Sequence, residues 1–369
     1  MKIVDVDLKL FRWPAIPETV LGPHTGRFSG ESALGLLRIS TNEGIDGHAF
    51  LGSAYNPATN DGPSLISFLK PILLGKNPLD REWLHHALWA KARVTTTRAI
   101  GAIDVALWDI AGKAAGQPIH RLLGSYRDRI AAYATSPVYT EPALYVEEAC
   151  RLKEEGWTAY KIHPPCKPDK DLAVARRVRE AVGADYPLMF DALWHHQYAE
   201  ALRIGMGLQD LDFLWYEDPL SDQDIGNYVE LRRKLHIPIV ATEQPFAGLD
   251  SYPIWLTSRA TDALRGDVAN KGGITTCIKT AHLAEAFRMN YEIHHGNNSL
   301  NNVANLHLAV AIRNTTRFEV LLPHRSQKYG LVQDIEVGPD GHVEAPSQPG
   351  LGYEIDFGLI EKEKISTLA

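Results

Sequence analysis

Leu188-Met189-Phe190-Asp191, Leu214-Trp215-Tyr216-Glu217 and Val240-Ala241-Thr242-Glu243 are three short apolar runs that each end in a carboxylate, at intervals of 26 and 26 residues. An interval of that length holds one strand, one helix and two turns, so each acid falls at the C-terminal end of a strand in a repeated strand-helix unit. In a parallel barrel those ends converge on the mouth, where barrel enzymes carry their chemistry. A single acid after a strand also commonly caps the next helix, but capping does not require equal spacing. Three oxygen ligands with no Cys or His among them suit a hard divalent ion that keeps waters and accepts substrate oxygens, hence Mg²⁺ before Zn²⁺ or copper. Asp191, Glu217 and Glu243 are therefore the expected ligands of one Mg²⁺.

Outward from these units, the chain from Arg129 alternates apolar strands with amphipathic stretches such as Asp171 to Val182 and Asn227 to Leu235. Strands are expected at Ile130–Thr135, Ala159–His163, Leu188–Asp191, Phe213–Glu217, Ile237–Glu243, Ala263–Asp267, Tyr291–His294 and Phe318–Leu322, mostly 24 to 28 residues apart. Eight such units describe a parallel α/β barrel of the TIM type. Ahead of it, Lys2 to Phe11 suits a strand, and Leu34–Arg38 with His48–Leu51 flank a Thr41-Asn42-Glu43-Gly44 turn as a hairpin. Leu65–Leu73, Arg81–Lys91 and Thr97–Ala115 have helical apolar spacing, the last closed by Gly116 and Pro118. The tail changes texture again, with a turn at Pro339-Asp340-Gly341 and a Gly/Pro-rich segment at 349–352, and is expected to pack back on the first unit. The expected divisions are an α+β unit at 1–125, the barrel at 126–328 and a returning segment at 329–369.

Candidate bases stand on either side of the acids. Lys161-Ile162-His163 ends the second strand, and alternation turns both basic side chains to one side. A lysine there can bind a substrate carboxylate, and His163 can exchange a proton near neutral pH. Asp267 lies 24 residues after Glu243, and His294 lies 27 after Asp267, on adjacent strand ends. A carboxylate bonded to an imidazole fixes its tautomer and stabilises its cation, which makes a better base. Ile293-His294-His295-Gly296 also offers His295, because a one-residue slip reverses which side chain faces the pocket. Glu319, one strand further, would if protonated donate a hydrogen bond to a developing enolate oxygen; a buried acid paired with a base is the alternative.

Bulk properties narrow the rest. The 369 residues carry 45 acidic and 38 basic side chains for a net charge of -7, with no Lys/Arg stripe interleaved with aromatics, which argues against nucleic acid. No apolar run is long enough for a bilayer, so no membrane is expected. The opening MKIVDVDLKLFRWP has no signal-peptide pattern, and three scattered cysteines suit a reduced compartment, so the cytoplasm is expected. A Zn²⁺ hydrolase barrel would need histidine ligands near the first strand, where Tyr133-Ala134-Thr135 supplies none.

Together Lys161-Ile162-His163, the Asp191/Glu217/Glu243 ladder, Asp267 with Gly272-Gly273, His294, Glu319 and the helix Ala99 to Asp109 resemble the enolase superfamily, within it the mandelate racemase subgroup, over essentially the whole chain. The resemblance implies an N-terminal capping domain closing over a (β/α)₇β barrel, with the cap completed by the C-terminal segment. It also implies cap loops near Ala15–Phe28 and Gly52–Asn60 that choose the substrate, where His24 and Arg27 are expected ligands for distal groups. The muconate-lactonizing branch carries a lysine where this chain has Asp267, which points to the racemase and acid-sugar dehydratase branch. Two positions depart from the subgroup: the frequent Lys-x-Lys reads Lys161-x-His163, and the frequent Asp-x-Asn reads Asp191-Ala192-Leu193, leaving Trp194 and its histidine neighbours to form that wall.

The implied activity is Mg²⁺-dependent removal of the proton alpha to a carboxylate. Dehydration of a sugar acid to a 2-keto-3-deoxy acid comes first, by analogy with that branch. Racemisation, epimerisation or cycloisomerisation of a lactone passes through the same enolate. A metal-dependent sugar-acid binding protein is the reading outside enzymology. The expected partner is a small carboxylate substrate, and the resemblance implies a homo-oligomer.

Overall fold

The computed structural model describes residues 1–243 and 248–369. Strand β1 (Ile3–Val20) pairs antiparallel with β2 (Arg27–Thr41), which pairs with β3 (Gly47–Leu51). The hairpin expected from 34–38 and 48–51 is present, but the segment 15–28 expected as a loop is mostly strand. β1 runs on through Pro14 and Pro17 because the β1–β2 register shifts between Trp13 and Ile16 and again between Ile16 and Thr19. The prolines fall in those breaks, where no ladder N–H is needed.

Helix α2 (Thr97–Ala115) packs under this sheet, and α1 (Arg81–Trp89) packs against α2. Thr96 caps α2 by accepting from the Ala99 N–H at 3.2 Å, and Gly116 closes it in the left-handed region. The stretch expected as one helix over 65–73 contains a π-helical turn at Leu65–Leu69.

The barrel strands are β4 (Arg129–Thr135), β5 (Tyr160–Ile162), β6 (Leu188–Asp191), β7 (Trp215–Glu217), β8 (Ile239–Ala241), β9 (Ala263–Gly266), β10 (Asn290–Ile293) and β11 (Phe318–Leu321). They run parallel in the order β11-β4-β5-β6-β7-β8-β9-β10, a nearly closed barrel. Helices α3 (Pro142–Glu154), α4 (Pro168–Val182), α5 (Tyr198–Asp210), α6 (Ile225–Lys234), α7 (Pro253–Thr257), α8 (Ile274–Ala286) and α9 (Ser299–Ala311) alternate with them. Among the described residues no ladder joins β10 to β11. Side-chain carboxylates bridge that seam: Glu292 accepts from the Thr316 N–H at 3.0 Å and Glu319 from the His295 N–H at 2.9 Å.

The strand period places the site. Tyr133, Ala159, Met189, Trp215, Val240 and Ala263 form one buried apolar cluster inside the barrel. Two residues further along the same strand faces come Thr135, Lys161, Asp191, Glu217, Thr242 and Arg265. An apolar floor thus carries an ionic layer.

Two further strands follow. β12 (His342–Glu344) pairs antiparallel with β4, and β13 (Lys364–Leu368) pairs with β1, so the chain's end joins the first sheet. The N-terminal unit and the barrel meet at α2 and α8. Asp104 on α2 accepts from the Thr275 N–H at 2.9 Å, and the Trp108 indole donates to the Thr275 hydroxyl at 2.9 Å. A Cβ on Gly273 (φ 106°) would lie 2.3 Å from the Asp104 carboxylate, so this contact requires glycine. Among the described residues no helix is long and apolar enough to cross a membrane.

Candidate active site

Asp191 and Glu217 close their strands, while Glu243 lies two residues past β8. One oxygen from each lies within 4.8 Å of the others. All three are donors a hard divalent cation prefers. The Lys161 Nζ is 3.1 Å from Asp191 and 2.8 Å from Glu217, so a protein cation already balances part of the cluster's charge.

Lys161 is fully buried and also pairs with Glu319 at 2.8 Å. Burial and neighbouring Arg265 oppose its charge, yet the three acids hold its ammonium well above the ordinary lysine range. The lysine expected to reach a substrate carboxylate is thus enclosed by carboxylates of the protein. Against the effect of burial, Lys161 and His163 hold Asp191 ionised, while burial pushes Glu217 up to about 8.

Arg265 was not among the expected site residues. Fully buried on β9, it approaches Glu217 at 2.6 Å, Glu319 at 2.5 Å and the Tyr133 hydroxyl at 3.0 Å. Its signal was present in Ala263-Leu264-Arg265-Gly266-Asp267, where a charge two residues before Asp267 shares its strand face. Arg265 also bears on the reading of Glu319. Burial alone would raise that carboxyl, but Arg265 and Lys161 hold it well below the usual range. Glu319 accepts from Thr135 at 2.7 Å, so its contacts are those of a buried acid paired with bases, the alternative expected for it.

His294 Nδ1 lies 2.7 Å from Asp267, and its Nε2 lies 3.2 Å from Glu243. Burial would lower the imidazole, but Glu243 and Asp267 raise it above the ordinary histidine value. His295 faces elsewhere: its Nδ1 accepts from the Asn297 N–H, its Nε2 sits 3.0 Å from the Asn302 amide, and burial pushes it down to about 3. On the other flank His163 Nε2 lies 3.2 Å from Asp191.

The cap meets this mouth at His24, whose ring centroid is 4.6 Å from that of Trp194. Consecutive left-handed residues Leu193 and Trp194 (φ 56° and 55°) shape that turn. A cavity of about 350 Å³ opens beside Glu243, lined by His24 and Tyr55 from the cap side and Asn297 and Asn301 from the barrel side. Arg27 is not in that lining; it is exposed and pairs with Glu18.

Barrel, cap and strand-end carboxylates define a class: two-part α/β proteins with a carboxylate cluster, able to take a cation, under a cap. The chain belongs to the mandelate racemase/muconate lactonizing enzyme family of the enolase superfamily. Residues 23–124 match that family's N-terminal domain, and residues 144–358 match the enolase C-terminal domain-like model. An arabinonate dehydratase of Saccharolobus solfataricus is 29% identical over 88% of this chain and 89% of its own. The crystal structure of D-glucarate dehydratase from Agrobacterium tumefaciens, complexed with magnesium, is 31% identical with a TM-score of 0.89, covering 99% of this chain and 100% of that one. The 3,6-anhydro-D-galactonate cycloisomerase from Zobellia galactanivorans is 26% identical with a TM-score of 0.85, covering 99% and 100%.

Proposed function

We propose that this protein is a Mg²⁺-dependent sugar-acid dehydratase, a reading carried by the Asp267–His294 pair, whose Nε2 stands 3.2 Å from Glu243 at the carboxylate cluster. Asp191, Glu217 and Glu243 would hold the Mg²⁺, which when bound would supply Lewis-acid stabilisation of charge developing on the substrate carboxylate. His294 takes the C2 proton while Asp267 stabilises the resulting imidazolium. The C3–O bond then breaks as an imidazolium protonates the departing hydroxyl, water leaves, and the enol tautomerises to the 2-keto-3-deoxy acid. Lys161 and Arg265 keep the ionic layer near neutrality throughout.

His163 on the opposite flank favours a second reading, in which the proton returns to the other face as an epimerisation, or the intermediate closes as a cycloisomerisation. Family membership supports a symmetric homo-oligomer, and three free cysteines support a reducing cytoplasm.

A panel of sugar acids incubated with Mg²⁺ in D₂O separates these readings. Keto-acid formation identifies dehydration, deuterium at C2 without keto acid identifies epimerisation, and new ring closure identifies cycloisomerisation. Binding with neither exchange nor product would mean a binding protein and would reject the enzymatic reading.

A further inference from the structure

The cavity beside Glu243 is polar but offers no cation without an acid partner among its described lining residues. Arg98, on α2, is its one guanidinium, and that fork is matched to a protein carboxylate: Nε to Asp61 at 2.7 Å and Nη2 to the other Asp61 oxygen at 3.1 Å. Asp61 is only 2% exposed, so the pair is fixed in place. His24 also lines the cavity, and burial pushes its imidazole down.

The remaining groups both donate and accept. The side-chain amides of Asn270 and Asn301 line the cavity with no protein partner among the described residues, and the Tyr55 hydroxyl donates to Asn297 at 2.9 Å while keeping acceptor capacity. Alcohol hydroxyls also donate and accept, and a site built of such groups is left with unpaired polar atoms when the hydroxyls are missing. A second carboxylate there would compete with Asp61 for Arg98.

We infer that this cavity takes the neutral polyhydroxyl end of a sugar monoacid and discriminates against the matching diacid. The Asp61–Arg98 pair, Asn270 and Asn301 are its specificity-determining groups. The inference deepens the proposed reaction and rests on it for the position of the reacting end.

Matched pairs test it: D-gluconate against D-glucarate, D-galactonate against galactarate, and D-xylonate against xylarate, each measured with the full-length Mg²⁺-loaded protein by calorimetric binding and initial rate. At least one monoacid is expected to bind, with its matching diacid at least about 100-fold weaker. A diacid bound within about tenfold of its monoacid, or no monoacid bound at all, overturns the inference. Selective monoacid binding without C2 exchange would uphold the inference while rejecting the proposed chemistry. Asp61→Asn releases the Arg98 fork and is expected to shift the monoacid-to-diacid ratio at least tenfold toward the diacid. If the folded variant keeps the wild-type ratio, the pair does not set specificity.

Discussion

Asp267 does two things to His294: at 2.7 Å it fixes which ring nitrogen carries the proton, and its charge helps raise the imidazole's proton affinity. Removing the imidazole therefore removes a proton carrier and leaves the cation cluster intact. His294→Asn is expected to cut turnover by about 10²–10⁴-fold with Mg²⁺ affinity within a few fold of wild type, measured by initial rates and metal titration. If metal affinity falls as far as turnover, His294 serves the cation site and is not the base. Much at this scale was legible. The equal spacing exposed the carboxylate cluster because a barrel repeats its unit, and strand alternation put Lys161 and His163 on one face. The choice between His294 and His295 was not legible, since it turns on a single residue of strand phase. Asn297 and Asn301 were missed because they stand on a loop and a helix start, where no period dictates direction.

At the scale of elements, α2 and α8 are joined through a buried acid. Asp104 accepts the Thr275 N–H at the first turn of α8, where a negative charge meets the positive end of the helix. Burial nevertheless raises its carboxyl from the ordinary 3.8 to about 6. The folded state consequently holds this proton over a range where the unfolded chain has lost it. Stability should fall as pH rises from about 4 to about 6 and level off above, by at most about 3 kcal/mol from this group. Asp104→Asn is expected to flatten that slope in melting temperature against pH; an unchanged slope would place its origin elsewhere. The helix pair itself was readable from apolar spacing, and so was its Gly116 stop. The strand run through Pro14 and Pro17 was not, because prolines in sequence signal a loop unless the register breaks that accommodate them are known.

For the whole molecule, a cation held at the strand ends ties β6, β7 and the segment after β8 to one point. A ligand that binds only the folded state adds about 2.7 kcal/mol when present at about 100 times its Kd. Saturating Mg²⁺ should therefore raise the melting temperature, excess EDTA should lower it again, and Asp191→Asn or Glu217→Gln should abolish the difference. A melting curve indifferent to Mg²⁺ would count against the carboxylate cluster as its site.

The bridge between β10 and β11 gives this barrel a preferred place to come apart. Elsewhere around the ring, neighbouring strands are joined by backbone ladders; here Glu292 and Glu319 hold the edges through a few side-chain bonds. His294 follows β10 directly, so loosening at this edge disturbs the imidazole before it disturbs the ring. In graded urea, turnover should accordingly disappear at a lower concentration than the far-ultraviolet helix signal. Over that interval the molecule would be a folded, inactive barrel, and dilution should restore its activity without the delay of complete refolding.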